Sequence, residues 1–95
     1  MIYRLIVSAE AQDESNIATD YYDSINPILG DRFLQEIKII FKKLVLHPQY
    51  YSFVSSSRKS NVRDVKLTSF PYVVVFEIRG NTVIVLSILN TLANK

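Results

Sequence analysis

Two neighbouring apolar segments in the C-terminal third constrain the fold of this chain more than any other feature. One spans residues 70–78 and the other residues 83–89, with Gly80-Asn81 between them. A strand that has one face in water alternates apolar and polar residues, and these two segments hardly alternate. We therefore predict a tight hairpin at the centre of a sheet that is covered on both faces.

The N-terminal half predicts one strand and two helices. Residues 2–7 form the strand, and Ser8 is a suitable N-cap for the first helix. Asn26-Pro27 ends that helix and starts a second one, which ends near His47-Pro48. Apolar residues recur at helical spacing in both helices: Ile17, Ala18, Tyr21, Tyr22 and Ile25 in the first, and Leu29, Phe33, Ile37, Ile40, Phe41 and Leu44 in the second. Because the link is so short, the helices should lie antiparallel.

The segment after the second helix completes the predicted fold. Residues 50–54 are a candidate short strand, residues 55–61 a polar loop, and residues 62–67 a further strand. The whole chain, residues 1–95, is then a single α+β domain: an N-terminal strand, an antiparallel helical hairpin, and a mostly antiparallel sheet of three to four further strands. One hairpin covers one face of a sheet, so we expect a partner to cover the other.

Charge is distributed unevenly along the chain. The net charge is +2, but residues 1–36 carry seven acids against two bases, and residues 37–95 carry nine bases against two acids. A basic C-terminal part is typical of a domain that meets an anionic partner, either nucleic acid or an acidic protein segment. The alternative is that solvated surfaces simply vary in sign. No apolar run approaches the roughly 18 residues of a membrane span, so no membrane contact is expected.

The sequence offers few residues for catalysis by common mechanisms. His47 is the single histidine and there is no cysteine, so we expect no metal site. Its position before a proline favours a role at the helix terminus. Only two glycines are present, which excludes a phosphate-cradling loop, and we expect no cofactor.

Cations near the predicted sheet are the remaining candidates for binding. They are Arg58, Lys59, Arg63, Lys66, Arg79 and Lys95. Such side chains neutralise phosphates or hold a carboxylate-rich peptide. Tyr50, Tyr51 and Phe53 could stack on nucleic-acid bases, but a place in the core or in an edge strand is the favoured interpretation.

Several motifs, taken together, carry a family resemblance. They are Arg32-Phe33 early in the second helix, Leu46-His47-Pro48 at its end, a basic strand over residues 63–67, Phe70-Pro71-Tyr72 before an apolar strand, and Ile88-Leu89-Asn90-Thr91 near the C-terminus. With the order strand, helix, helix, sheet, the chain resembles the RelE/ParE superfamily of bacterial type II toxin–antitoxin modules. The resemblance implies a cytoplasmic toxin from a plasmid-stabilisation system, held inactive by an antitoxin that is encoded next to it. An uncovered apolar sheet face is a natural place for that antitoxin, or for a second copy in a homodimer.

The two branches of the superfamily imply different chemistry. RelE-like members cut messenger RNA on the ribosome without a metal, and here Arg63 and Lys66 would carry that reaction. However, Val73 stands where such enzymes often have arginine, and Asn90, where they often have histidine, cannot titrate near neutral pH. We therefore favour the ParE-like branch, which inhibits DNA gyrase by protein–protein contact and needs no catalytic residue. A degenerate toxin that only binds antitoxin is a third alternative.

The resemblance and the charge pattern together give two sets of candidate residues. Candidates for contact with the target or with nucleic acid are Arg58, Lys59, Arg63, Lys66, Arg79, Asn90 and Thr91. Candidates for contact with the antitoxin are Val73, Val75, Arg63 and Lys66.

Overall fold

Two long helices and a four-stranded sheet make up the fold in the computed structural model, which describes residues 2–51 and 61–92. In chain order the elements are β1 (Arg4–Val7), α1 (Ala9–Ile25), α2 (Pro27–Leu46), a 3-10 turn (Pro48–Tyr50), β2 (Val62–Lys66), β3 (Tyr72–Arg79) and β4 (Thr82–Asn90). This order confirms the predicted α+β fold. Tyr50 ends the 3-10 turn instead of starting a strand, because Pro48 continues the chain in a tight turn directly after α2. Residues 52–54 of that candidate strand lie outside the described residues.

Local capping fixes the start of the helical hairpin and the turn between its two helices. The Ser8 hydroxyl accepts the Ala11 N–H at 3.0 Å, which satisfies one of the free donors at the start of α1. Asn26 serves both helices: its own N–H donates to the Tyr22 carbonyl, and its side-chain oxygen accepts the Ile28 N–H, each at 2.9 Å. Pro27 occupies the first turn of α2, where its missing N–H costs nothing. The hairpin therefore turns within a single residue.

The sheet has the strand order β1-β4-β3-β2, with β1 parallel to β4 and the other pairs antiparallel. Gly80, with φ +56°, provides the left-handed conformation that the β3–β4 turn requires. The turn pairs Arg79 with Thr82, as the predicted hairpin requires. Farther along, a bulge inserts Leu86 between the Val75–Ser87 and Phe76–Val85 pairs. The extra residue changes the phase of alternation in β4.

The core lies between the hairpin and one face of the sheet. Phe33 and Leu44 of α2 are fully buried, as are Val74 and Phe76 of β3 and Val83 of β4. Close to the start of β3, four rings pack together: Tyr22, Phe33, Phe70 and Tyr72. Alternate residues of β3 are buried, and those between them are half-buried, apart from Arg79, which is exposed. The two predicted hairpin strands are thus confirmed. Among the described elements, however, only one face of the sheet is covered, because both long helices lie on that face.

The five apolar residues that recur at helical spacing in α1 do not share one face. Ala18 is 2% exposed and Tyr22 packs against the core, whereas Ile17, Tyr21 and Ile25 are 70%, 59% and 58% exposed. The core face of α1 is formed instead by small residues, Ala11, Ser15 and Ala18, which let the helix approach the sheet closely. Residues four apart share a helix face, so Ile17, Tyr21 and Ile25 form one row and Ala18 and Tyr22 form the next. Helical spacing alone does not show which of two such neighbouring rows faces the core.

Alkaline pH should destabilise the fold through Tyr22. Burial raises the pKa of the Tyr22 phenol, and the neighbouring Tyr72 and Tyr21 raise it further. The native state therefore holds this proton more tightly than the unfolded chain does. Its contribution to stability is complete below about pH 10, the ordinary tyrosine value, and is lost as the pH rises through the folded pKa.

We predict that Tyr22→Phe loses less stability than the wild type between pH 8 and pH 11, a range set about the ordinary tyrosine value near 10. Urea unfolding followed by circular dichroism measures this difference, with the pH 7 values as the internal control. A steeper alkaline loss in the variant would contradict the assigned direction.

Candidate functional site

The face of the sheet that points away from the helices has no described covering element. We call it the open face. Its residues follow from strand register: Arg4 and Ile6 on β1, Thr82, Ile84 and Leu89 on β4, Val73, Val75, Glu77 and Arg79 on β3, and Val62, Asp64 and Lys66 on β2. Ser87, the register partner of Val75, lies at the bulge and is left out, because its hydroxyl donates to Glu10 of α1. Because side chains alternate along a strand, this set is the complement of the buried core set.

Apolar side chains occupy the middle of the open face. Val73 lies between Lys66 and Leu89. Ile84 lies between Glu77 and Ile6, two rows away and beyond the row of Val75. Ile6 is 49% exposed, while the valines and Leu89 are half-buried. Contiguous apolar surface of this kind marks a binding site for protein more often than a site for chemistry.

The exposed basic side chains lie at the ends of the open face, whereas the acids Asp64 and Glu77 are half-buried within it. Lys66 is exposed at one end, and Arg4 and Arg79 flank Thr82 at the other. Arg79 also forms an ion pair with Glu77 at 3.2 Å. Val73, the partner of Lys66, and Arg79 are six residues apart on β3, which at roughly 3.3 Å per residue is about 20 Å. Lys66 and Arg79 therefore do not converge on one phosphate.

Arg63 does not lie on the open face. Its register partner is the buried Phe76, whereas the partner of Lys66 is Val73. Positions three apart on a strand point to opposite faces, so the two cations proposed for RNA cleavage are separated by the sheet. The Arg63 guanidinium donates to the Gln49 carbonyl at 3.0 Å, the Tyr51 carbonyl at 2.8 Å and the Asn61 side-chain oxygen at 3.2 Å. Arg63 thus ties the segment that follows α2 to β2.

Asn90 and Thr91 hold the end of β4 in place. The Asn90 amide donates to the Tyr72 hydroxyl at 3.4 Å, and the Thr91 N–H and hydroxyl both donate to the Pro71 carbonyl, at 2.8 and 3.1 Å. Thr91, Tyr72 and Lys66 are among the residues that line a small cleft of about 220 Å³. Ligand pockets are usually larger, roughly 300–1,000 Å³. The structure therefore brings Lys66, Asn90 and Thr91 to one end of the sheet, where the described residues that line the cleft include a single cation and no acid–base pair.

The other sequence candidates occupy different places. His47 follows α2 directly, and its N–H donates to the Lys43 carbonyl at 2.9 Å, as expected for a residue at a helix terminus. Tyr51 packs on Phe76 with ring centroids 6.0 Å apart, whereas Tyr50 is 83% exposed. Phe53, Arg58, Lys59 and Lys95 lie outside the described residues. No three described His, Cys, Asp or Glu side chains are grouped to hold a metal ion.

The strand register adds four open-face residues that the sequence patterns did not indicate. Ile84, Leu89, Ile6 and Arg4 join the candidate open-face residues Val73 and Val75. Ile84 could have been identified from the sequence, because a two-residue turn at Gly80-Asn81 pairs Glu77 with Ile84. Leu89 could not be placed in that way, since the bulge at Leu86 shifts the register beyond it.

Comparison with known proteins gives one family match in sequence and one match in fold. Residues 5–93 match the model of a family described as "ParE toxin of type II toxin-antitoxin system, parDE". A solved structure entitled "Chromosomal ParDE TA system from P. aeruginosa" has a similar fold, with a TM-score of 0.77 and 21% sequence identity over 94% of this chain and 96% of that one. No curated protein matches the chain in sequence. Among the described helices, none is long and apolar enough to cross a membrane.

The positions of Arg63 and Lys66 predict effects of different size on stability when each is substituted. Arg63→Ala removes hydrogen bonds from a cation to two carbonyls and an amide, and should lower the free energy of unfolding by about 1–3 kcal/mol. Lys66→Ala removes an exposed charge and should change it by less than about 0.5 kcal/mol. Urea unfolding of both variants measures the difference. Equal effects would show that Arg63 does not fasten the segment after α2.

Proposed function

The chain belongs to the ParE toxin family of type II toxin–antitoxin systems, and from this premise we propose that it inhibits DNA gyrase by protein–protein contact and is neutralised by a cognate antitoxin. Such an inhibitor needs a surface that holds a partner, and it needs no group that transfers a proton. The observation that carries the proposal is the open face, which presents Val73, Val75, Ile84 and Leu89 without a described covering element. The cytoplasm, where gyrase acts, is the proposed compartment.

The cations support binding over catalysis. Metal-free RNA cleavage needs a base, an acid and a cation around one phosphate. Lys66 is on the open face, Arg63 is fastened to backbone carbonyls on the other side of the sheet, and Asn90 has no proton to transfer near neutral pH. These positions disfavour the RelE-like alternative, since its two proposed cations do not meet.

The antitoxin is proposed to lie across the open face with an apolar, acidic segment. Val73 and Val75 would be desolvated by apolar side chains of that segment, and its carboxylates would approach Lys66 at one end. Arg63 would contribute indirectly, by holding β2 in position. A homodimer that forms through the same face would compete with this complex. The free toxin would then pair with a second copy of itself, and the neutralised toxin with the antitoxin.

A supercoiling assay with purified gyrase tests the proposed activity. We expect the wild-type chain to inhibit supercoiling and to accumulate stalled DNA cleavage complexes, and we expect the purified antitoxin to reverse both effects. Lys66→Ala serves as the discriminating variant, because loss of one exposed charge should leave a gyrase inhibitor within a few-fold of the wild type. An RNase that used Lys66 for its phosphate would lose roughly 10²-fold or more in rate.

Two outcomes would contradict the proposal. One is cleavage of messenger RNA by the wild-type chain that disappears with Lys66→Ala, which would support the RelE-like alternative. The other is antitoxin binding without inhibition of either gyrase or translation, which would indicate a degenerate toxin.

A further inference from the structure

A cleft with an exposed aromatic ring lies where α2 ends. The described residues that line it are Lys43, His47, Tyr50 and Tyr51, and we call it the Tyr50 cleft. Its volume of about 340 Å³ falls within the range of roughly 300–1,000 Å³ that is usual for ligand pockets. The Tyr51 ring packs on Phe76, which is buried between the sheet and the helices. The cleft is therefore on the helical side of the sheet, away from the open face.

The two tyrosines of the cleft have different environments. Their ring centroids are 5.3 Å apart, with the ring planes at 89°. Tyr51 is half-buried against Phe76, whereas Tyr50 is 83% exposed. The interpretation that these aromatic residues belong to the core or to an edge strand therefore does not hold for Tyr50. Its ring is presented to solvent and is available to stack on a ligand.

The backbone that carries Tyr50 is held firmly in place. Pro48 is fully buried at the start of the 3-10 turn. The Arg63 guanidinium donates to the carbonyls on both sides of Tyr50, those of Gln49 at 3.0 Å and Tyr51 at 2.8 Å. A single exposed ring is ordinary on a protein surface, but a ring fixed beside a cleft loses little conformational entropy when a ligand binds.

The part of the sequence around the Tyr50 cleft is basic without interruption. Residues 37–63 contain six lysine or arginine residues and no acid. Lys38, Lys42 and Lys43 are exposed on α2, and Lys43 lines the cleft together with His47. The described residues that line the cleft include no carboxylate. The electrostatic potential there favours an anionic ligand.

An aromatic ring beside a cation indicates the chemical class of the ligand. Proteins hold single-stranded nucleic acid by stacking its bases on aromatic side chains and by neutralising its phosphates with basic ones. An acidic protein segment would use Lys43 without needing the Tyr50 ring. It would also need a larger surface, because stable protein interfaces bury about 800 Å² on each partner. A nucleotide uses both features of the cleft.

We propose that the Tyr50 cleft binds a nucleotide with an unpaired base, which stacks on Tyr50 while its phosphate lies beside Lys43. Single-stranded DNA and a free mononucleotide present the same base and phosphate, so both are sources of this ligand. The inference is independent of the proposed function, because it concerns a different surface and its test uses neither gyrase nor antitoxin.

Isothermal titration calorimetry with a twelve-nucleotide oligothymidylate tests the stacked base. The wild type should bind this single strand more tightly than a hairpin duplex with the same number of phosphates, because paired bases are already stacked. Tyr50→Ala should weaken binding of the single strand roughly tenfold or more, and Tyr50→Phe, which keeps the ring, should stay within about twofold of the wild type. The matched control is Tyr21→Ala, which removes a tyrosine of the acidic α1 that is 59% exposed and should leave the affinity unchanged.

The salt dependence of the same titration tests the phosphate contact. Lys43→Ala should weaken binding and reduce the slope of log K against log salt concentration by roughly 0.7, the value for one phosphate of a single strand. Arg32→Ala removes an exposed cation from the same helix, about 16 Å away along its axis, and should change neither quantity. Circular dichroism confirms that each variant is folded.

Titration with thymidine monophosphate distinguishes the two sources of the ligand. Similar affinities for the mononucleotide and the oligomer, both weakened by Tyr50→Ala, would support the inference and identify a free nucleotide. Binding of the oligomer that is roughly tenfold or more tighter than that of the mononucleotide, and is weakened by the same variant, would support it and identify a strand.

Other outcomes would overturn the inference. A wild-type chain that binds neither probe has no nucleotide site. Unchanged affinity in Tyr50→Ala would exclude the stacked base, and unchanged affinity in Lys43→Ala would exclude the phosphate contact. Tighter binding of a glutamate-rich peptide than of the oligothymidylate, with the same dependence on Tyr50, would show that the cleft holds an acidic protein segment instead.

Discussion

Packing of one helical hairpin against one face of the sheet determines most of this structure. Phe33 and Leu44 of α2 and Phe76 of β3 are fully buried in that contact. Because strand residues alternate, a face that sends Val74 and Phe76 into the core must send Val73 and Val75 the other way. The apolar character of both faces then has different consequences. One face stabilises the fold, and the other remains available to a partner.

The same alternation separates the cations. A spacing of three residues places Arg63 toward the helices, where it fastens backbone carbonyls, and Lys66 on the open face. The basic C-terminal half therefore does not form one anion-binding centre among the described residues. The exposed basic residues of the sheet lie around an apolar surface instead. Charges in such positions affect the orientation and rate of association with a partner protein more than they affect the affinity. The acidic α1 presents the opposite sign on a neighbouring surface.

Local signals predicted the order of the elements and several of their boundaries. Ser8, Asn26-Pro27 and Gly80-Asn81 act through backbone conformation and capping within a few residues, so each was identifiable in the sequence. The bulge at Leu86 was not, because long-range contacts accompany it: the Ser8 hydroxyl donates to the Leu86 carbonyl, and Glu14 accepts the Ile88 N–H. The role of Arg63 depends on the path of residues 49–51 in space and was likewise beyond sequence patterns. The roles of Arg58 and Lys59 stay predictions.

Methyl chemical shifts on addition of the antitoxin test most directly whether the open face is a binding surface. Val73, Val75, Ile84 and Leu89 lie on that face, and Val74, Val83 and Val85 provide buried controls in the same strands. We predict large shifts for the first four residues and small ones for the three controls. Antitoxin binding that leaves all four open-face residues unshifted would contradict the central claim.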